Sequence, residues 1–418
     1  MSRDNIPKRK VGGTFDRRQF IKVAGSSAAL AALAGCTGGD GGDGDGGSDG
    51  SDGSDGGSDG SDGGSDGSDG SDGDTTEGGD GGSGELTTVN TAAVPVGLPI
   101  EIALNHVRDT GGMQELWEAK GYDFNIQLTF EDVTLYASNQ VQLDSFSYVE
   151  AARLGAEQQV STVSLGEIES VIQGLHVKAG GPYDPETTGS VAASIDKIVE
   201  EGGTLAIDSW ASGSLPYAQI IMRDEYGHDL SQGGDFSVQT TDYGTMPKLM
   251  MRDELQMAIF AGTSAGAPEL EAGEIKPLFW LAPKLREIDA GVGPLASIVG
   301  REEFVREEPE AAISWLDMWN DGIQYIHDNV DELAADPDMH EMLNVNNEAQ
   351  AQWILDLVVK GENGAGGQPL LAEPPVGNAE ENIEAKRSLV SDMEDLGQIP
   401  SGWEDYLTFM TREDLKNL

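Results

Sequence analysis

The sequence predicts an α/β protein of two lobes, and three observations carry that expectation. Beyond residue 84 lie roughly 330 residues, more than one hydrophobic core usually serves. Short apolar runs alternate there with amphipathic helix-like segments, the pattern of parallel sheets covered on both faces. From Glu302 onward the helical period takes over, at about 308–330, 346–359 and 379–396.

Taken in order, PIEIALNHV (99–107) reads as the first strand and GMQELWEAKG (112–121) as a helix. FNIQLTF (124–130) is strand-like, and QVQLDSFSYVEAARLGAE (140–157) is a strand running into a helix. VSTVSL (160–165) and then SVIQGLHVKAG (170–180) continue the alternation. A second set opens with helix-like SVAASIDKIVEEGG (190–203) and alternates through TLAIDS (204–209), SLPYAQIIMRDEYG (214–227), DFSVQT (235–240), YGTMPKLMMRD (243–253), LQMAIFAG (255–262) and IKPLFWLA (275–282). The expected organisation is a signal segment at 1–35, a tether at 36–84 and a folded part at 85–418 with helices at its C-terminal end.

The N-terminal segment has the order of an export signal. Lys8, Arg9 and Lys10 precede the Arg17-Arg18 pair, and Val23 to Ala34 form an apolar run of small residues. That run is about a dozen residues, short of the roughly 20 that span a bilayer. DRRQFIK (16–22) resembles a twin-arginine signal, and Leu33-Ala34-Gly35-Cys36 resembles a lipobox, which implies a lipid on Cys36, the only cysteine. Chance in a polar N-terminus is the alternative. From Thr37 to about Gly84 the chain repeats SDG and SDGG with nothing to seed a core, so a solvated tether reaching about 35–40 Å on average is expected. A calcium-binding β-roll would need a recurring apolar position that these repeats lack.

Charge sets a further bound. The chain has 25 Lys+Arg against 74 Asp+Glu, a formal net of −49. Nucleic acid would be repelled, so no such partner is expected. Acids spread through the folded part as well as the tether match a protein adapted to very high salt, a halophile's, where screening acts within a few ångströms. The overall charge speaks of habitat and does not argue for a cationic ligand.

WEAKGYDFNIQLTF (117–130), LDSFSYVEAARLG (143–155), TLAIDSWASGS (204–214) and GPLASIVGREEFVREEPEAAISWLDMWNDGIQY (293–325) together resemble the substrate-binding proteins of ABC importers, in the subgroup for sulfonates, taurine, nitrate and pyrimidine thiamine precursors. The last segment resembles the family's return strand, Pro and long helix. LQMAIFAG departs from the family's strand motif, with Met257-Ala258 and no acid. The resemblance implies a type II periplasmic-binding-protein fold with a hinge and an interlobe cleft, the chain leaving the first lobe near 190 and returning near 290. It also implies a small-molecule ligand of the sulfonate, nitrate or pyrimidine kind, an ABC permease and ATPase as partners, a monomer, no cofactor and no enzymatic activity. A ligand sensor of the same fold is a second reading.

In open α/β sheets ligands sit beyond the carboxyl ends of strands. That rule selects Asn105, His106 and Arg108 after the presumed first strand; Ser145 and Phe146; Ser209, Trp210, Ser212, Gly213 and Ser214 after TLAID; Asp242 and Tyr243; and Phe279 and Trp280. The SWASGS loop is a candidate anion site at a helix start, with simple N-capping as the alternative. Arg108 can grip an anion or pair with a surface acid, and His106 can donate to a ligand or cap a strand end. The aromatics can stack on a flat solute or pack between lobes. Few arginines in these loops argue against a multiply charged anion. GTSAG (262–266) matches G-x-S-x-G, so an exported hydrolase using Ser264 is the rival from another class, but Pro268 leaves room for only a short helix after it. His106, His176, His228, His327 and His340 lack metal-ligand spacing, so no metal is expected.

Overall fold

A computed structural model describes residues 86–94, 98–129, 131–210, 212–263 and 265–418. The export signal with Arg17 and Arg18, the lipidation residue Cys36, the tether and Ser264 lie outside the described residues.

Among the described residues eleven strands form two sheets. They are β1 (Thr87–Ala93), β2 (Tyr122–Leu128), β3 (Leu143–Asp144), β4 (Thr162–Ser170), β5 (Gln173–Lys178), β6 (Thr204–Ile207), β7 (Ser237–Thr240), β8 (Met257–Ala261), β9 (Ile275–Trp280), β10 (Pro294–Arg301) and β11 (Leu407–Phe409). The first sheet has the order β11-β4-β10-β3-β1-β2 and the second β7-β6-β8-β5-β9. β10 is antiparallel to β3 and β4, and β5 is antiparallel to β8 and β9, while the other pairings are parallel. The expectation of parallel sheets therefore needs one amendment: each sheet carries one reversed strand. These are the two strands that the chain enters directly after passing from one sheet to the other.

The passage from the first sheet to the second is Val171 and Ile172 alone, between the end of β4 and the start of β5. It lies well before the boundary expected near 190, because the run at 170–180 pairs with β8 and β9 and so belongs to the second sheet. The return comes after β9 through the helix Leu281–Glu287 to β10, close to the expected 290.

One reading at the N-terminal side is corrected. PIEIALNHV is not a strand; it lies within the helix Leu98–Thr110, and the first strand is the more polar TTVNTAA at 87–93. Ile100, Ile102 and Leu104 fall two apart and suggest a strand, but Ile100, Ala103, Leu104 and Val107 also form a helical stripe, and all are buried. That stripe packs on the twenty-residue helix Pro309–Asp328, alongside Trp315, Trp319 and Ile323. Trp315 lies edge-on to Trp319 at 5.6 Å and is stacked on Phe124 of β2 at 5.9 Å. Fully burying a side chain of this size stabilises by about 3 kcal/mol, so this face anchors the first sheet.

A second apolar cluster runs from Tyr136, Phe146 and Tyr148 beside the first sheet, through Val171 and Ile172, to Leu175, Ile207, Ile259 and Trp280 of the second sheet. The interior is thus continuous through the crossing.

The two long helices touch where Gly322 faces Ala103. A Cβ at 322 would stand 2.4 Å from the Ala103 Cβ and 2.8 Å from its Cα, and backbone cannot swing aside as a side chain tip can. Gly322→Ala gains up to about 1 kcal/mol of helix propensity, yet overpacking costs about 1–3 kcal/mol or more. The expected outcome is net destabilisation of about 1–2 kcal/mol in a denaturant titration, and a variant more stable than the parent would contradict this contact.

Candidate functional site

The two reversed strands determine where a site can form. β1, β2, β3 and β4 all run toward the crossing, β3 ending level with Ser164 of β4, and β6, β7, β8 and β9 run toward it from the second sheet. Loops from both sheets therefore open on one boundary.

On the second sheet the expected loops do come together. Ser212 and Ser214, after β6, are buried with their hydroxyls 3.1 Å apart. Asp208, at the end of the same strand, is raised above the usual carboxylate range chiefly by burial, opposed by hydrogen bonds from Ser212, backbone N–H groups and Tyr243. Tyr243, after β7, is pushed up to about 12, first by burial and then by the charge of Asp208, while contacts with Ser212, Ser214 and Gln173 act the other way. Asp208, Ser212, Ser214, Tyr243 and Gln173 thus form one polar group at the strand ends. Ser209 precedes it, Trp210 is half-buried against the core beside it, and Gly213 is exposed. Asp242 is exposed and its carboxylate accepts from the Gly244 N–H at 3.0 Å, which shapes the turn and leaves Tyr243 to face the cluster.

Ser214 stands before the helix Leu215–Ile221 but is itself in helical conformation, and its hydroxyl makes no capping bond. Its partner is Ser212, so the N-capping alternative for this serine is not what the structure holds. The helix spans seven residues before a π-turn at Met222–Tyr226. That is too short a helix for its dipole alone to make an anion site.

On the first sheet Ser145 is fully buried, and its Oγ accepts from the Val94 N–H at 3.1 Å, tying the end of β1 to the end of β3. Phe146 lies inside the core, edge-on to Tyr136 at 4.9 Å, so packing is its role. Beside them sit acids that the sequence reading passed over. Asp144 is fully buried; its Oδ1 accepts from the Ser145 N–H at 2.7 Å, and its Oδ2 has no hydrogen-bond partner among the described residues. Asp132 is 3% exposed, also with an unpartnered Oδ2. Burial, and then the charge of Glu150, raises the Asp132 carboxyl to about 7, and burial together with Asp132 holds Asp144 well above the ordinary range. Glu150 closes a capping box with Ser147 at the start of the helix Tyr148–Gln158. In a chain with 74 acids, nothing in the sequence singled out Asp132 or Asp144.

The remaining candidates fall elsewhere. Asn105, His106 and Arg108 sit in the middle and last turns of the helix 98–110, not at a strand end, because the segment is helical. Arg108 donates to Asn105, and His106 stacks on Tyr325 at 3.9 Å and lies 3.5 Å from Asp321. His106 thus belongs to the contact with the long helix, while Arg108 is exposed and pairs with Asn105 on its own helix. Phe279 is 8% exposed and stacked on Tyr226 at 5.8 Å. Trp280 is fully buried, donates its indole N–H to the Asn363 carbonyl at 2.9 Å and lies edge-on to His176. Both are packing residues. His176 is itself fully buried and stacked on Phe260, and burial lowers its pKa to about 3, so it is neutral.

The crossing is braced from both lobes. Tyr148 donates to the Val292 carbonyl at 2.8 Å and Tyr217 to that of Pro294 at 3.3 Å. Val171 N–H donates to the Gly293 carbonyl, joining the outgoing and returning segments, and Arg286 reaches Ser170 Oγ at 2.8 Å and the Pro369 carbonyl at 3.0 Å.

No protein-family model and no curated protein sequence matches the chain. Solved structures share its fold. The aliphatic sulphonate-binding protein of Escherichia coli is 10% identical with a TM-score of 0.55, the match covering 76% of this chain and 90% of that one. A putative sulfonate ABC transporter's periplasmic sulfonate-binding protein from Methylobacillus flagellatus is 13% identical, at 0.52, covering 78% and 92%. The alkanesulfonate-binding protein of Xanthomonas axonopodis pv. citri, solved with MOPS bound, is 8% identical, at 0.51, covering 78% and 100%. At these identities the likeness is one of fold: the chain has the two-lobed α/β fold of the periplasmic binding proteins.

Asp132 supplies a pH test of this geometry. Its carboxyl rises from 3.8 unfolded to about 7 folded, so between those values the folded state binds more protons and stability falls as pH rises. Asp132→Asn removes that loss. The variant is expected to be more stable than the parent by on the order of 2 kcal/mol at pH 8, with the difference shrinking to near zero at pH 4. Comparing variant with parent cancels the opposite contribution of His176, and a difference independent of pH would refute the assignment.

Proposed function

We propose that the chain is an extracytoplasmic solute receptor that captures a small molecule between its lobes and presents it to an ABC permease and its ATPase. The observation that carries this reading is the shared boundary: the strands of both sheets run toward it, the chain passes between the sheets at 171–172 and 288–293, and a half-buried polar cluster faces it from the second sheet. The solved structures of the same fold include sulfonate-binding proteins of this kind of transporter.

Among the described residues no helix is long and apolar enough to cross a membrane. In this reading the membrane is reached through lipid on Cys36, after twin-arginine export, with the Ser/Asp/Gly repeat as tether. Mechanism is binding alone. Open and closed states differ by rotation about the crossing, and a solute touching both lobes favours closure by its differential affinity. The helix after the GTSAG motif, Ala267–Glu271, has only five residues, whereas a nucleophile elbow runs into a substantial one, which favours a receptor over a hydrolase.

The test is a thermal-shift screen of the purified protein in molar KCl against sulfonates, nitrate, pyrimidines, amines and amino acids. A true solute at a hundred times its dissociation constant should add about 2.7 kcal/mol of stability. A flat response to the whole set, with hydrolysis of ester substrates that Ser264→Ala abolishes, would overturn the reading.

A further inference from the structure

Both sides of the boundary offer hydrogen-bond acceptors. The segments 94–97, 129–132, 145–147, 208–214, 241–245 and 262–266 contain Glu131, Asp132, Asp208 and Asp242 and no Lys, Arg or His, and the basic residues of the segment after β9 are already engaged, Lys284 with Glu225 and Glu287 and Arg286 with Ser170 and the Pro369 carbonyl. Surface acids in so acidic a chain are explained by hydration, but these include groups that water does not reach. Asp144 at the end of β3 is fully buried with Oδ2 unpartnered, and Asp132 beside it is in the same condition. Across the boundary, Asp208 is held by hydroxyl and N–H donors only, and the buried Oε1 of Gln173, the first residue of β5, has no partner among the described residues. Glu150 on the first lobe acts electrostatically on Tyr217 of the second, so the acids stand close enough to the boundary to be felt across it.

Resting on the receptor reading above, we infer that the solute is a cation bearing N–H donors, a protonated amine or a guanidinium, taken by Asp208 beside Trp210 and Tyr243 and favoured from the other lobe by Asp132 and Asp144. Closing the lobes brings Asp208 toward Asp132 and Asp144, whose burial favours the protonated form, in a space from which water and salt are being expelled. A positive occupant favours the ionised form of these carboxyls and is then attracted from both sides, which is what couples binding to closure. Its N–H groups also satisfy acceptors that otherwise stay buried and unpaired. An anion meets the opposite situation: no basic side chain in these segments and no capped helix start at Ser214. A bare metal ion is the weaker occupant, because no group of three or more ligating side chains gathers among the described residues.

The experiment is intrinsic tryptophan fluorescence titration of the whole protein at fixed molar KCl. The probes are putrescine, agmatine, lysine and arginine as N–H cations, choline as a cation without such donors, and methanesulfonate and nitrate as anions. Saturable binding of at least one N–H cation is expected, weakened at least tenfold in Asp208→Asn. Glu254→Gln, an exposed acid of the second lobe, should bind as the parent does, which separates a site from general counterion attraction. An unliganded melting temperature of Asp208→Asn close to the parent's shows that the loss is not one of folding, and Ser212→Ala, which removes a donor from the same carboxylate, gives a second reading of the site. Saturable binding of methanesulfonate or nitrate alone, or of choline alone, overturns this inference and leaves the receptor standing. Cation binding that Asp208→Asn and Glu254→Gln alter equally overturns it as well. No saturation by any probe of any class removes the receptor reading and this inference together.

Discussion

Everything about where a site can lie depends on how little chain joins the two sheets. With only Val171 and Ile172 between β4 and β5, the chain cannot travel to the far edge of the second sheet before entering it. It enters at the near edge and runs away from the boundary, which fixes β5 antiparallel to β8 and β9. On return β10, reached through the helix Leu281–Glu287, begins opposite Ser170 at the crossing and likewise runs away from it. Because the remaining strands are opposed to these two, their carboxyl ends face the crossing, and each sheet offers its loops to the other. Two reversed strands thus turn two α/β layers into a crevice.

The crossing is packed as an interior rather than left as a linker. Val171 and Ile172 belong to the apolar cluster that reaches both sheets, and Tyr148 and Tyr217, one from each lobe, donate to carbonyls of the returning segment. Fully buried tyrosines satisfied in this way fix the strands in register while leaving rotation to the few residues between them.

Much of this architecture was legible in the sequence. The alternation of strand-like and helix-like runs located β2 through β10 and the three main C-terminal helices within a few residues, because their apolar periods are unambiguous. The first strand was not legible: TTVNTAA carries Thr and Asn at half its positions and is buried only because neighbours cover it, while the following helix happens to place Ile100, Ile102 and Leu104 in alternation. β11 was missed for a similar reason, since three residues carry no period. The site was half legible. The rule of strand ends pointed to the Ser209 to Ser214 loop and Tyr243 but passed over Asp208, and it misled at Asn105, His106 and Arg108 once the strand itself was misplaced. It also could not tell Phe146, Phe279 and Trp280 as core residues from aromatics facing a ligand, a distinction made by burial alone. Asp132 and Asp144 were hidden by abundance: among many acids only the coordinates show which ones water does not reach.

The central claim is that one solute is held by the strand ends of both sheets at once. Amide hydrogen exchange of the protein with and without a saturating solute measures that directly. Slowed exchange is predicted together in the first-sheet segments around 129–132 and 145–147 and in the second-sheet segments 208–214 and 241–245. Protection confined to one sheet, or centred away from the crossing, would contradict it.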